Sequence, residues 1–242
     1  METNYEIQKG ELIAIRQINR HVFHLKIKSS DFAKMNYVSG FTIDIFLGDS
    51  VSFPDLESRK YSIWNYEPVH QVIDLAICTF SKGKGANWVK TLENGDLIYF
   101  KPPRGKLLID ENADYYYMIG DITSLSHLYE INRNISVDKK VFSFIYAHTQ
   151  RDIFPDIDGS FPFDYYVIDP LIAEDVLEKI AILEPDFRGT GIAYLLGEPK
   201  TVIALYNHFK NKKKWHINQI KSKPFWKETQ SGSVLTGVKK AM

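Results

Sequence analysis

The chain of 242 residues is long enough for two compact domains, each burying its own core. Thirty basic and thirty acidic side chains cancel to a net charge of zero. No overall field therefore draws the protein to nucleic acid or to a membrane surface. The single cysteine, Cys78, excludes an internal disulfide and any iron–sulfur cluster held by several cysteines of this chain. It lies in the apolar run Val72-Ile73-Asp74-Leu75-Ala76-Ile77-Cys78 and reads as a buried thiol rather than a nucleophile. The segment Met1-Glu2-Thr3-Asn4-Tyr5-Glu6 lacks a basic, apolar leader, and nowhere do about 18 apolar residues run together. A cytoplasmic protein is expected.

From Glu11 to about Lys101 apolar residues mostly alternate, as in Leu12-Ile13-Ala14-Ile15, Val22-Phe23-His24-Leu25-Lys26-Ile27, Phe41-Thr42-Ile43-Asp44-Ile45-Phe46 and Asp96-Leu97-Ile98-Tyr99-Phe100. A period of two means half-buried strands, and several at short spacing predict a small antiparallel barrel. Only Ala86 to Leu92 in this half reads as a short helix.

Near Asp110-Glu111-Asn112-Ala113-Asp114 the pattern changes, which predicts a barrel domain over 1–110 and a second domain over 111–242. Strands are expected at Tyr115 to Ile119, Val141 to Ala147, Tyr165 to Ile168, Ile192 to Leu196 and Trp215 to Ile220. Helices are expected at Ser124 to Ile131, Leu171 to Ile180 and Lys200 to Phe209. Strands alternating with helices in short units predict a mostly parallel, doubly wound sheet.

The segment Arg59-Lys60-Tyr61-Ser62 carries the most chemistry. In an extended strand Arg59 and Tyr61 share one face, with Lys60 and Ser62 on the other. An arginine fork matches paired phosphate oxygens, a tyrosine offers a flat apolar face, and a serine hydroxyl can hydrogen-bond the edge of a ring laid there. The same four residues also suit an ordinary surface strand. Downstream, the turn Gly83-Lys84-Gly85-Ala86-Asn87-Trp88 opens the short helix with backbone amides able to meet an anion. Two further strands run into Gly120-Asp121-Ile122-Thr123 and Gly197-Glu198. Thr123 can cap a helix or face a phosphate. Glu198 suits a nucleotide contact or a helix dipole equally.

In this order the motifs resemble the ferredoxin reductase superfamily, and most closely its siderophore-interacting, FAD-dependent ferric-chelate reductases. The resemblance implies that Arg59, Tyr61, Ser62, Gly83, Gly85, Ala86, Asn87 and Trp88 bind FAD. It assigns Gly120, Asp121, Thr123, Gly197 and Glu198 to NAD(P)H. Arg151 is a further candidate for the extra phosphate of NADPH, although a solvated arginine is the simpler reading. Phe225-Trp226-Lys227 resembles an aromatic pair near the end of family members, which suggests Lys223, Trp226 and Lys227 as contacts to an anionic ferric siderophore. The lysines from Lys210 to Lys214 read as a solvated helix end.

Departures are specific. Ala86 replaces a serine, Ile122 an acid, Ser126 a proline and Pro102 a glycine. Trp64 stands where many members carry a second arginine, which implies weaker phosphate binding or stacking in place of charge. The implied activity moves hydride from NAD(P)H to flavin and then single electrons to iron(III), with ferredoxin as an alternative donor and iron leaving as Fe(II). Two other readings stay open: a reductase of the same fold with a different acceptor, and a non-catalytic ligand-binding module. The seven histidines show no metal-ligand spacing. Iron is expected inside its chelator, and His21, His24 and His127 read as structural or surface residues.

Overall fold

The computed structural model describes residues 6–48, 57–80, 83–169 and 171–225. Alternation in the first half produces strands β1 (Gln8–Asn19), β2 (Val22–Lys28), β3 (Thr42–Phe46), β4 (Ser58–Ser62), β5 (Asn65–Glu67), β6 (Val72–Cys78) and β7 (Leu97–Arg104). They form one antiparallel sheet of seven strands in the order β4-β3-β7-β1-β2-β6-β5. The edge strands β4 and β5 are separated in the chain only by Ile63 and Trp64. Ile63 N–H donates to the Phe41 carbonyl on the β3 side, while Trp64 N–H donates to Asp74 on β6. The sheet must therefore curl until its two edges meet, which makes it barrel-like. Its interior is filled by alternate residues such as Leu12, Leu25, Ile27, Ile43, Ile45 and Phe100. A short helix α1 (Lys84–Trp88) runs on into a 3-10 turn over Val89–Thr91, in place of one helix from Ala86 to Leu92.

The second half builds strands β8 (Tyr115–Asp121), β9 (Lys140–Ala147), β10 (Tyr165–Val167), β11 (Gly191–Gly197) and β12 (Ile220–Pro224). All are parallel, in the order β10-β9-β8-β11-β12. Helices α2 (Leu125–Arg133), α3 (Ala173–Leu183) and α4 (Pro199–Asn207) connect them. Tyr116 and Met118 of β8 join one apolar cluster with Leu125 and Leu128 of α2. Tyr117 and Ile119 join another with Val176 of α3 and Leu205 of α4. Both faces of the sheet are thus covered, as a doubly wound fold requires. Among the described residues no helix is long and apolar enough to cross a membrane.

The last strand departs from its predicted place at Trp215 to Ile220. Trp215 packs edge-on to Tyr115, Tyr117 and Phe209. His216 then caps a 3-10 turn over Ile217–Gln219, its ring accepting from Asn218 N–H while the Gln219 side chain accepts from His216 N–H. The turn and the aromatic cluster take up this segment, so β12 begins only at Ile220.

The two sheets meet along α2. Trp64, 1% exposed, lies edge-on to Phe154 and His24, and its indole N–H donates to Asp156 at 2.8 Å. Arg133 at the end of α2 pairs with Asp156 and Glu130 and donates to the Trp64 carbonyl. Glu130 also accepts from the Tyr37 hydroxyl at 2.6 Å and from Ser39 at 3.3 Å. An open cleft of about 520 Å³ beside this network is lined by Tyr37, Tyr66, Pro68 and Asn134 together with the network's own side chains. It lies at the opposite end of α2 from Gly120-Asp121.

Trp64→Ala is expected to lower unfolding free energy in urea by about 3–5 kcal/mol, the cost of truncating a buried aromatic. Trp64→Phe keeps the ring and loses only the N–H, for about 1 kcal/mol. Equal losses would show that ring packing at the seam contributes nothing.

Candidate functional site

Strand β4 pairs with β3 so that Tyr61 lies opposite Ile43 and Arg59 opposite Ile45. Both side chains run under α1. A Cβ added to Gly85 would stand 2.5 Å from the Tyr61 hydroxyl and 3.3 Å from Arg59 Cγ. Only a bare Cα fits that approach. The strand motif and the glycine turn, more than twenty residues apart in sequence, therefore lie against each other. Trp88 at the end of α1 lies nearly parallel to Tyr61, with ring centroids 6.5 Å apart. Burial pushes the Tyr61 hydroxyl well above its usual range, against the opposing effect of Arg59.

Gly83 caps α1 with extended backbone and no side-chain hydrogen bond. Ala86 is buried, and the Asn87 N–H returns to the Gly83 carbonyl at 3.1 Å. Two cations converge beside this turn. Glu57 pairs with the Arg59 guanidinium through one oxygen and with Lys84 at 2.6 Å through the other. The Lys84 hydrogen bond first, and then Arg59, hold the Glu57 carboxyl below its usual range. A doubly held carboxylate marks this corner as suited to anions. The paired cations, the unadorned helix start and the aromatic face make a donor set fitting a flavin dinucleotide, with pyrophosphate at one end and the ring at the other.

On the opposite face of β4, Ser62 Oγ lies 3.2 Å from Nδ1 of His127 on α2. His127 is fully buried, and its Nε2 lies 3.1 Å from the Leu107 carbonyl oxygen. The ring edge faces Phe225, with centroids 6.0 Å apart. Phe225 N–H in turn donates to the Gly197 carbonyl at 3.0 Å. Phe225, just after β12, thus comes close to β4 through His127. Lys223 reaches the same place, its ammonium 5.6 Å from the Phe225 ring centroid. Burial and the nearby Lys60 ammonium lower its pKa, against the pull of Asp44. Lys60 itself donates to Asp44 at 2.7 Å. Trp226 and Lys227 lie outside the described residues.

The other end of the site is the carboxyl edge of the parallel sheet, where β8 and β11 are neighbours and the strand order reverses. Open α/β sheets bind ligands at such a switch point. Asp121 caps the 3-10 turn over Ile122–Ser124, accepting from the N–H and hydroxyl of Thr123. Thr123 is therefore a donor to the cap rather than the cap. Glu198 caps α4, accepting from Lys200 N–H at 3.0 Å and from Thr201 N–H at 2.6 Å. Gly120 and Gly197 are needed for packing. A Cβ on Gly120 would meet Ser124 Oγ at 2.2 Å, and one on Gly197 would meet the Asp121 carboxyl at 2.6 Å. Gly197 also has φ of +117°. Arg151 is exposed in a 3-10 turn over Gln150–Asp152.

One expectation changes. Trp64 offers neither charge nor a stacking face to a ligand, because it is turned into the seam between the sheets. Of the two readings of His127, structural and surface, the structural one holds, and the ring is buried against β4. Lys60 was legible only as the partner face of Arg59, and becomes a neighbour of Lys223 through the return of β12. Among the described residues no group of three or more His, Cys, Asp or Glu side chains is placed to hold a metal ion.

The fold is that of ferredoxin reductases. A Plasmodium falciparum ferredoxin-NADP+ reductase superposes with a TM-score of 0.70 at 14% identity, covering 92% of this chain and 99% of that one. More similar are a siderophore-interacting protein from Aeromonas hydrophila, with TM-score 0.78, 18% identity and 94% of both chains covered, and one from Acinetobacter baumannii, with TM-score 0.78, 14% identity and 93% and 92% covered. In sequence, the chain is 25% identical over 189 residues to the ferric vibriobactin reductase of Vibrio cholerae, covering 74% of this chain and 69% of that protein. No profile of a described protein family matches. The resemblance to siderophore-interacting proteins is thus borne out in fold, beside the sequence likeness to a ferric vibriobactin reductase.

Burial, reinforced by repulsion from Lys223 and opposed by the Leu107 carbonyl, lowers the His127 pKa to about 4 from 6.5. Between those values the unfolded chain binds the proton and the folded one does not. Stability therefore falls as pH drops from 6.5 towards 4, by about 3 kcal/mol from this group. His127→Gln is expected to flatten that part of a pH series of urea unfolding. An unchanged slope would show that folding does not lower the His127 pKa.

Proposed function

We propose that the protein is an FAD-dependent ferric-siderophore reductase that takes electrons from NAD(P)H or a ferredoxin and releases iron as Fe(II). The observation that carries this reading is the contact of bare Gly85 with the Tyr61 hydroxyl and the Arg59 stem, which unites an aromatic face with an anion corner. The likeness in sequence to a ferric vibriobactin reductase supports the acceptor class. FAD, when bound, would convert hydride transfer into single-electron steps suited to iron(III).

The chain's own residues then bind and orient. Arg59 and Lys84, with the first amides of α1, hold the pyrophosphate. Tyr61 supports the ring, and Trp88 backs Tyr61. Ser62 meets the ring edge. Gly120, Asp121, Thr123, Gly197 and Glu198 shape the switch point against which a nucleotide would lie. Asp121 and Glu198 act there mainly by capping, which fixes the strand ends and helix starts. Lys223, with Lys60 beside it, draws an anionic ferric chelate to the Ser62 face, and Trp226 and Lys227 would complete that approach. A protein holding its cofactors this way needs no nucleophile, and the 1–110 and 111–242 portions divide the work between flavin and nucleotide.

Glu57 pairs with both cations of the anion corner, so its charge would compete with a pyrophosphate there. Glu57→Gln is expected to tighten FAD binding several-fold in a fluorescence-quenching titration, whereas Arg59→Ala weakens it by roughly 10- to 100-fold, the loss of one charge-assisted hydrogen bond. Unchanged affinity in both variants would remove the pyrophosphate from this corner.

A further inference from the structure

The Ser62–His127–Leu107 chain has a fixed direction. Leu107 contributes a carbonyl oxygen, which can only accept, so the proton of the His127 ring sits on Nε2. In the neutral ring Nδ1 is then an acceptor, and the contact at 3.2 Å requires the Ser62 hydroxyl to donate. Full burial and the Lys223 ammonium oppose a second proton on this ring. A hydroxyl has one donor and two acceptor positions. With its proton committed to His127, Ser62 Oγ can only accept from any further partner.

We propose that His127 is a positioning residue that, by taking the Ser62 hydroxyl proton through Nδ1, presents Ser62 Oγ as an acceptor to the flavin edge and so favours the reduced, N–H-bearing ring. This rests on the flavin reading above. The hydrogen on the ring edge arrives with the hydride delivered by the donor, so no further reductant is needed. A freed Ser62 hydroxyl would instead donate to the bare nitrogen of the oxidised ring. His127 therefore sets which redox form the strand prefers, without touching the ring. Nothing in the local sequence announces this role, because the pair is 65 residues apart and exists only where β4 meets α2.

The test is a double-mutant cycle read as the midpoint potential of the bound flavin, with Ser62→Ala, His127→Leu and the two combined. Each single variant is expected to lose about tenfold in preference for the reduced form, roughly 30 mV downward for a two-electron couple. The double variant should shift no further than either single one, because His127 acts only through Ser62. Additive shifts, or a His127→Leu potential equal to that of the unaltered protein, would overturn the proposal. Should His127→Leu not fold, Ser62→Ala decides alone: an unmoved potential is fatal to it. Absence of flavin from the unaltered protein, even after reconstitution, overturns the flavin reading and this inference together. Bound flavin with unmoved potentials overturns only the inference.

Discussion

Arg133 carries a cation into the seam between two sheets, and burying a charge is costly unless it is paired and hydrogen-bonded. Asp156, Glu130 and the Trp64 carbonyl meet that demand together. Each comes from a different place: the loop after β9, α2 itself, and the closure of the barrel. Removing one partner would strand the others, so the network fixes how the barrel edge lies on α2. Trp64 adds shape to the same constraint, since its ring fills the seam while its N–H serves Asp156. The cost of leaving these groups unsatisfied is what holds β4 in register against the second domain.

With that register fixed, the reactive geometry follows over short distances. α2 delivers His127 to Ser62, and the chain through β12 delivers Lys223 and Phe225 beside them. Charge is segregated along this line. Arg59 and Lys84 gather on the α1 side, Lys60 and Lys223 on the other, and the buried carboxylates Asp121 and Glu198 are retained for helix caps. A chain of zero net charge thus creates local attraction for anions at both ends of one aromatic platform, which its global composition conceals.

Much of this was legible in the sequence because it depends on local rules. Period-two alternation located the barrel strands, and alternating strand and helix patterns located the parallel sheet. Arg59, Tyr61 and Gly85 stood out as candidates by residue type and spacing, but the close approach of Gly85 to Tyr61 and Arg59 comes only from the packing of α1 on β4. The strand placed at Trp215 to Ile220 was shifted because the same β-favouring residues suit an aromatic cluster, and His216 with Gln219 made a cap no periodicity reports. Trp64 looked like a ligand-facing substitution, because its position within the motif says nothing of which way the closing strand turns. His127 was hidden for a related reason: residues 125–131 of α2 are buried throughout, so amphipathic phase singles out no face. Contacts between distant elements, such as Ser62 with His127 and Lys60 with Lys223, depend on domain packing and leave no local trace.

The most direct measurement is an anaerobic absorbance spectrum of the purified protein, taken alone, then with NADH or NADPH, then with a ferric siderophore. Flavin bands that bleach with nucleotide and return with the chelate are the predicted result. Bands that stay unchanged with either nucleotide but bleach with reduced ferredoxin and recover with the chelate would assign the other donor. A protein without flavin bands after reconstitution, or whose reduced flavin is not reoxidised by any ferric chelate, would contradict the account.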